Sequence, residues 1–220
     1  MSDITMEDVT CPHCGAQASF TTYPYVDAAR EQELKMRCLN GKVFEFICPL
    51  CGKMSHIGYP MCYHDREQHL MLMVFRDREP LLCLGAMALH HMGHDIQDSD
   101  LYTSRAVPTP AHLAEKVDIF TYCLDDRTVE LQKHLMMPAI RMDFEESEIG
   151  TLLLRIFDDE LLYAVVDKKG QVVATMPFEM DAYEELHAKC SPFYSDDPLD
   201  NMCIDAKWAE EYFTPDEVLQ

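Results

Sequence analysis

The first third of the chain alternates apolar and polar positions, which is the pattern of strands that bury one face. Residues 42–48 alternate in this way, and residues 53–63 and 68–75 continue with runs rich in Leu, Met, Val and Phe. Together these segments predict a small antiparallel sheet. Residues 27–39 predict a helix inserted before it, with Asp27 in the N-cap position.

The middle of the chain has helical patterns. A broad apolar stripe predicts a helix over residues 79–92. A second helix is predicted over residues 109–122, because Thr109 fits the N-cap and a proline follows at the first helical position. A third is predicted over residues 127–137, where Pro138 closes it because proline breaks the hydrogen-bond ladder of a helix.

The last third returns to strand patterns. Residues 150–157, 161–167 and 171–176 are apolar runs separated by turn sequences, which predicts a three-stranded meander. Short helices are predicted over residues 181–189 and 206–213. Strands and helices are grouped and do not strictly alternate, so the predicted fold class is α+β.

A change of composition after Pro138 suggests two domains. We place the boundary so that residues 1–142 form a first region of strands and helices and residues 143–220 form an acidic α+β domain. The formal charge of the chain is −21, of which −15 falls in residues 143–220. This charge argues against nucleic-acid binding, which depends on Lys and Arg, and disfavours anionic membrane surfaces.

The opening of the chain and its apolar runs indicate the compartment. Residues 1–8 are acidic and lack the basic and apolar regions of a secretory signal. The longest apolar run, residues 70–75, is much shorter than the roughly 18 to 20 residues that span a bilayer. We therefore expect a soluble cytoplasmic protein whose ten cysteines stay reduced, so most of them need an explanation other than disulfides.

Four of those cysteines form a repeated motif. Cys11-Pro-His-Cys14-Gly15 and Cys48-Pro-Leu-Cys51-Gly52 have the same spacing, with a proline after the first cysteine and a glycine after the second. Proline fixes φ, and glycine supplies the freedom that lets backbone N–H groups turn toward a thiolate. Two such knuckles predict a closed, structural four-cysteine site for Zn²⁺, with Cys11, Cys14, Cys48 and Cys51 as ligands. Residues 1–142 are therefore predicted to be a zinc-ribbon-like and helical region.

Other interpretations of the knuckles remain. The same four thiolates bind iron in rubredoxin-like electron carriers, although most of this chain lies outside the motif. Free thiols in a reduced core, or an adventitious disulfide, are the third interpretation.

The chain resembles the CpXC-domain proteins of prokaryotes, a family named for two Cys-Pro-x-Cys motifs. The resemblance extends from Val9 to about Met137. It rests on the two knuckles, on residues 39–47 before the second, on Tyr59-Pro60 with Tyr63 and Asp65, and more weakly on residues 113–117 and 124–133. It implies a metal site at the knuckles and points to no particular activity, and the acidic C-terminal third lies outside it.

The remaining candidates point to structural roles. Six cysteines stand singly and are expected to fill core: Cys38, Cys62, Cys83, Cys123, Cys190 and Cys203.

His90 and His94 have the spacing of a helical metal pair but lack the Glu of a metalloprotease motif, so they are expected to cap a helix, with a second metal site as the alternative. His13 is expected to point away from the metal. His56, His64 and His69 are candidates for supporting the knuckle sheet. The acidic clusters at residues 145–148, 158–160 and 196–197 lack EF-hand spacing and are expected to be solvated turns.

These patterns favour a protein with no catalytic activity. No phosphate loop, nucleophile elbow or dinucleotide motif occurs in the sequence. We expect a cytoplasmic, zinc-stabilised interaction module whose acidic C-terminal surface selects a basic protein partner. An iron electron carrier is the alternative, and the sequence leaves the oligomeric state open.

Overall fold

The computed structural model describes residues 1–75, 102–144, 149–198 and 200–212. The chain divides into two compact units, Met1–Ala114 and Glu115–Gln220. Strands dominate the first part, helices lie in the middle, and a three-stranded sheet with helices follows, so the α+β class is confirmed. The sequence composition instead predicts a domain boundary after residue 142, and that boundary stays a prediction.

The first unit contains a five-stranded sheet and a separate two-stranded hairpin. The hairpin consists of β3 (Glu45–Ile47) and β4 (Met54–His56). The five-stranded sheet has the order β1-β2-β5-β6-β7, formed by β1 (Asp3–Thr10), β2 (Gln17–Asp27), β5 (Met61–Asp65), β6 (Leu70–Val74) and β7 (Thr103–Val107).

The five-stranded sheet is mixed, which differs from the antiparallel sheet predicted for this region. β2 pairs with β5 and β6 pairs with β7 in parallel, whereas the other two pairs are antiparallel. Parallel neighbours need a crossover connection, and the knuckle hairpin lies within the one between β2 and β5. Every residue of β6 is buried, as expected for a central strand covered on both faces. β1 lies at the edge of the sheet and is mostly exposed.

The inserted helix starts later than predicted. Helix α1 spans Gln32–Leu39, and Asp27 is the last residue of β2, so the N-cap prediction for Asp27 was wrong. The aromatic and β-branched residues that precede Asp27 favour a strand. Asp27 is fully buried, and one carboxylate oxygen lies 3.6 Å from Arg30. Residues 42–44, predicted as part of a strand, form a short 3₁₀ helix.

The second unit contains the predicted meander. Its strands are β8 (Ile149–Phe157), β9 (Glu160–Asp167) and β10 (Val172–Pro177), in the order β10-β9-β8. Phe157 pairs with Glu160, so Asp158 and Asp159 form a two-residue turn. Both have positive φ, 48° and 65°. Aspartate tolerates the left-handed region better than most residues, so the acidic pair is explained by the turn.

Four α-helices follow β7 in the part of the chain that the structure describes. They are α2 (Pro110–Thr121), α3 (Asp126–Asp143), α4 (Met180–Cys190) and α5 (Ala206–Tyr212). The predicted helix over residues 79–92 and the final residue of the one over 206–213 lie outside the described residues. No helix in the part of the chain that the structure describes is long and apolar enough to cross a membrane.

Helix α3 continues through Pro138, so the prediction that Pro138 ends it was wrong. The helix starts as expected, because the Asp125 side chain accepts a hydrogen bond from the backbone N–H of Arg127 at 2.9 Å. Ile140 lies beyond the proline, is buried, and belongs to the same core cluster as Leu152. Burial of the Ile140 side chain offsets the hydrogen bond that proline removes, although the neighbouring residues of this last turn are exposed.

A buried group of charges holds α3 to α2 and β8. Lys133 Nζ lies 3.0 Å from Glu115 Oε1 and 2.8 Å from Glu130 Oε2. The backbone N–H of Leu154 donates to the same Glu115 oxygen at 2.7 Å. A second buried pair joins Lys116 and Asp126 at 2.6 Å. Burying a charged group costs free energy unless the group is paired and hydrogen-bonded. Each of these buried charges has such a partner.

Candidate metal centre

Each cysteine knuckle is the turn of an antiparallel hairpin. Cys11 and Cys14 lie between β1 and β2, where Thr10 pairs with Gln17. Cys48 and Cys51 lie between β3 and β4, where Ile47 pairs with Met54. The strands on either side therefore fix where each pair of thiols points.

The two turns have the same internal hydrogen bonds. In the first, the Cys11 N–H donates to the Ala16 carbonyl at 2.8 Å and the Gly15 N–H donates to the Cys11 carbonyl at 3.0 Å. In the second, the Cys48 N–H donates to the Lys53 carbonyl at 3.0 Å and the Gly52 N–H donates to the Cys48 carbonyl at 2.9 Å. The repeated sequence thus produces a repeated structure.

The glycine of each knuckle has a left-handed backbone. The φ angles are 72° at Gly15 and 68° at Gly52, and a Cβ atom added at either would meet no other atom within 4 Å. The requirement for glycine is therefore conformational and does not come from crowding, because an L-residue in this region costs about 1 to 2 kcal/mol.

We expect Gly52→Ala to lower the free energy of unfolding of the metal-loaded protein by about 1 to 2 kcal/mol, because alanine strains the turn. Gly58→Ala is the matched control, since Gly58 also has open space around its Cα but no positive φ, and should leave stability nearly unchanged. Chemical denaturation with the metal retained measures both. Equal effects of the two variants would contradict a conformational role for Gly52.

The structure brings the four cysteines together. Their sulfur atoms all lie within 4.8 Å of one another. Cys11 Sγ lies 3.8 Å from Cys51 Sγ, and Cys14 Sγ lies 3.7 Å from Cys48 Sγ, so each close pair joins the two hairpins and none is a disulfide. A tetrahedral zinc site with Zn–S bonds of about 2.3 Å has S···S edges of about 3.8 Å. The cluster therefore fits a tetrahedral metal ion.

Hydrogen bonds from backbone N–H groups and between the thiols shift the pKa values of the cysteines in the cluster. Backbone N–H groups of Cys51 and Leu50 lower the pKa of Cys48 to about 6. At Cys14 the backbone N–H of Ala16 acts in the same direction, but desolvation and the neighbouring thiols outweigh it and raise the pKa to about 12. Thiolates this close repel one another, and a cation removes that conflict by deprotonating all four.

Aromatic packing joins the two hairpins beneath the cluster. Phe20 of β2 and Phe46 of β3 are both buried, and their rings meet edge to face with centroids 5.9 Å apart. Tyr59 packs against Phe20 at 6.0 Å. This contact gives the hairpins a fixed relation that does not depend on the sulfurs alone.

The histidines near the knuckles are not among the clustered ligand atoms. His13 Nε2 lies 3.4 Å from the Met54 carbonyl of the other hairpin, which agrees with its expected direction away from the sulfurs. His64 is buried in β5, where its Nδ1 lies 2.7 Å from the Tyr25 hydroxyl. His56 pairs with Glu45 in the hairpin, and the His69 ring packs on Tyr102. Among the described residues, the four cysteines are the one group of three or more that could hold a metal.

The single cysteines behave as core residues or surface thiols. Cys38 is fully buried, and burial raises its pKa to about 12; burial does the same at Cys62. Such thiols carry almost no thiolate near neutral pH and are poor nucleophiles. Cys190 is buried, whereas Cys123 is exposed, so the expectation that Cys123 fills core was wrong. The predictions for Cys83, His90 and His94, and for residues 145–148, lie outside the described residues.

The knuckle geometry agrees with the comparison of the chain with protein families. The family described as CpXC protein matches residues 9–133, more than half of the 220 residues. The chain belongs to the CpXC family. The match covers both knuckles and continues through α2 into α3 as far as Lys133. No curated protein and no solved structure matches the chain.

The part of this CpXC protein beyond the knuckles contains residues that sequence reasoning missed. Glu115, Glu130 and Lys133 were assigned no role, yet all three are buried and form one ionic group. One feature of the sequence could have indicated them: these charged residues lie among apolar residues of the two predicted helices. A charge at such a position is costly unless it has a partner, and the sequence did not show which charges meet.

Proposed function

We propose that this CpXC protein is a non-catalytic protein-interaction module whose first unit is held together by zinc. The observation that carries the proposal is the convergence of four unlinked sulfurs from two hairpins at tetrahedral spacing. Cys11, Cys14, Cys48 and Cys51 would be the ligands. Four thiolates leave no position for water or substrate, which is typical of a structural site and not of a catalytic one.

Zinc suits this donor set because it binds thiolates strongly and imposes no geometry of its own. A four-thiolate site needs reduced cysteines, which fits a reducing compartment such as the cytoplasm. The charge of −15 in residues 143–220 supports a basic protein partner and opposes nucleic acid, because long-range fields steer association and repel phosphate.

A rubredoxin-like iron electron carrier is the second candidate. One observation favours it. Cys14 and Cys51 are exposed, which gives electrons a route from the surface to a metal ion bound by the four cysteines. The metal site nevertheless takes up a small part of the chain, and the separate second unit is unexplained by electron transfer.

Elemental analysis and visible absorption separate the two candidates. We expect protein purified from cells grown with both metals to contain about one zinc per chain and to be colourless, since Zn²⁺ has a filled d shell. Stoichiometric iron with strong visible absorption would contradict the zinc proposal and support the electron carrier. Protein that folds and holds neither metal would contradict both.

A further inference from the structure

The outer edge of β1 is an open sheet edge of unusual length and composition. β1 is eight residues long and lies at the end of the order β1-β2-β5-β6-β7. Within the described ranges, no strand pairs with its outer side. The backbone N–H and C=O groups along that side are available to another chain, which is the requirement for adding a strand to a sheet.

This edge lacks most of the features by which proteins protect an exposed strand. Natural edges carry lysine, proline or bulges, or are very short. β1 contains no proline, and the first Lys or Arg of the chain is Arg30. Its one irregularity lies between Asp3 and Thr5, and from Thr5 to Thr10 the pairing with β2 is regular. A long edge that has no lysine or proline and pairs regularly from Thr5 to Thr10 points to a binding role.

The side chains of β1 define what would bind. Ile4 is 63% and Met6 69% exposed, which is high for large apolar residues. Asp3, Glu7 and Asp8 are exposed as well, with no cation in the strand. Because alternate residues face opposite sides of a sheet, Glu7 and Asp8 place a negative charge on each face.

A second copy of this chain is a poor occupant of the edge. Pairing β1 with another β1 would double the three carboxylates of the strand without supplying one cation, and like charges on neighbouring strands are destabilising. A basic strand would instead neutralise them.

We propose that β1 binds an extended basic segment of a partner protein as an added strand, with an apolar residue opposite Met6 and Lys or Arg opposite Glu7 and Asp8. Main-chain hydrogen bonds along the edge supply affinity, and the cross-strand pairs supply selectivity. This inference rests on the proposed interaction function and names its site and the chemistry of the partner.

The test uses the full metal-loaded protein and a synthetic peptide with blocked ends and the eight-residue length of β1. The centre of the peptide is lysine-lysine-valine, so that in antiparallel pairing the two lysines lie opposite Asp8 and Glu7 and the valine lies opposite Met6. We expect the peptide to bind and to slow amide hydrogen exchange in β1, because its backbone covers N–H groups that face water. A peptide of the same sequence with N-methyl groups on alternate residues lacks the donors for a ladder and should not bind. Equal binding of both peptides would contradict strand addition.

Charge-reversed variants separate this site from general attraction to an acidic protein. Glu7→Lys with Asp8→Lys should weaken peptide binding at least about tenfold, because two attractions become two repulsions. Glu184→Lys with Glu210→Lys changes the net charge equally at exposed positions on α4 and α5 and should leave binding nearly unchanged. Equal losses in the two double variants would overturn the proposal.

Two further outcomes distinguish this inference from the proposed function. Zinc-loaded protein whose β1 amides exchange equally fast with and without the peptide would overturn the edge site and leave the zinc module intact. Sedimentation could also show that the parent protein is a dimer and that the Glu7→Lys, Asp8→Lys double variant is a monomer. That result would assign the edge to a second copy of the chain and overturn the proposal of a basic partner.

Discussion

Cys48→Ser is expected to remove the metal and to unfold the knuckle hairpins. Cys48 is buried, and its sulfur lies 3.7 Å from that of Cys14, so its loss opens the centre of the cluster. Structural zinc contributes about 10 to 16 kcal/mol of apparent binding free energy in zinc-finger peptides, which is comparable to the whole stability of a domain, about 5 to 15 kcal/mol. Loss of one thiolate therefore has a large effect.

Metal content and limited proteolysis measure this result. The metal per chain should fall close to zero, and new cleavage sites should arise between β1 and β4. Cys123→Ser is the matched control, because it makes the same chemical change at an exposed cysteine of the second unit and should alter neither measurement. If Cys48→Ser digests like the parent protein, the metal has no structural role.

Lys133→Met is expected to lower the free energy of unfolding by about 3 to 5 kcal/mol, because it leaves the carboxylates of Glu115 and Glu130 buried without their cation. Methionine has a similar length, so the loss arises from charge and not from a cavity. Chemical denaturation followed by tryptophan fluorescence suits this measurement, since the single Trp208 is buried in the same unit.

Two variants identify the cause of that loss. Lys189→Met removes the cation of an exposed pair with Glu185 and should leave the free energy of unfolding nearly unchanged, because solvent screens exposed pairs. Adding Glu130→Gln to Lys133→Met removes one unpaired carboxylate and should recover part of the stability. No recovery in the double variant would contradict the electrostatic explanation.

The pH dependence of Lys133→Met follows from the same carboxylates. Burial raises the pKa of Glu130 even in the parent protein, where the Lys133 ammonium opposes the shift. An acid with a raised pKa in the folded state favours folding while it is protonated, and that stability is lost as pH rises through the folded-state pKa. The deficit of Lys133→Met should therefore be smaller near about pH 5 than near about pH 8. A constant deficit would contradict ionised carboxylates as its source.

Local patterns were sufficient for the metal cluster and the C-terminal sheet. The two knuckles repeat the same five positions, so they adopt the same turn and turn the same donors inward. The meander was predicted within a few residues, because each strand pairs with its neighbour through a short turn. The residues that determine each knuckle turn and each strand pair of the meander lie close together in sequence. The two knuckles lie far apart in sequence, and their meeting was predicted because they repeat one metal-binding motif.

Longer-range contacts account for the predictions that were wrong. Asp27 has the residue type of an N-cap, yet β2 continues to it because Tyr25, Val26 and Asp27 pair with β5. Pro138 should end a helix, yet α3 continues because Ile140 is buried in the core. In each case a local preference of at most a few kcal/mol was outweighed by burial that the local sequence does not show.

The sequence by itself determined the family, the four cysteines that meet, the α+β class and the acidic character of the chain. The tertiary structure alone decided that β1 is the edge strand of its sheet among the described residues, that the N-terminal sheet is mixed, and that Lys133 lies between two carboxylates. Sequence patterns report which face of an element is apolar. They do not report which elements become neighbours, because that depends on the summed burial of residues far apart in the chain.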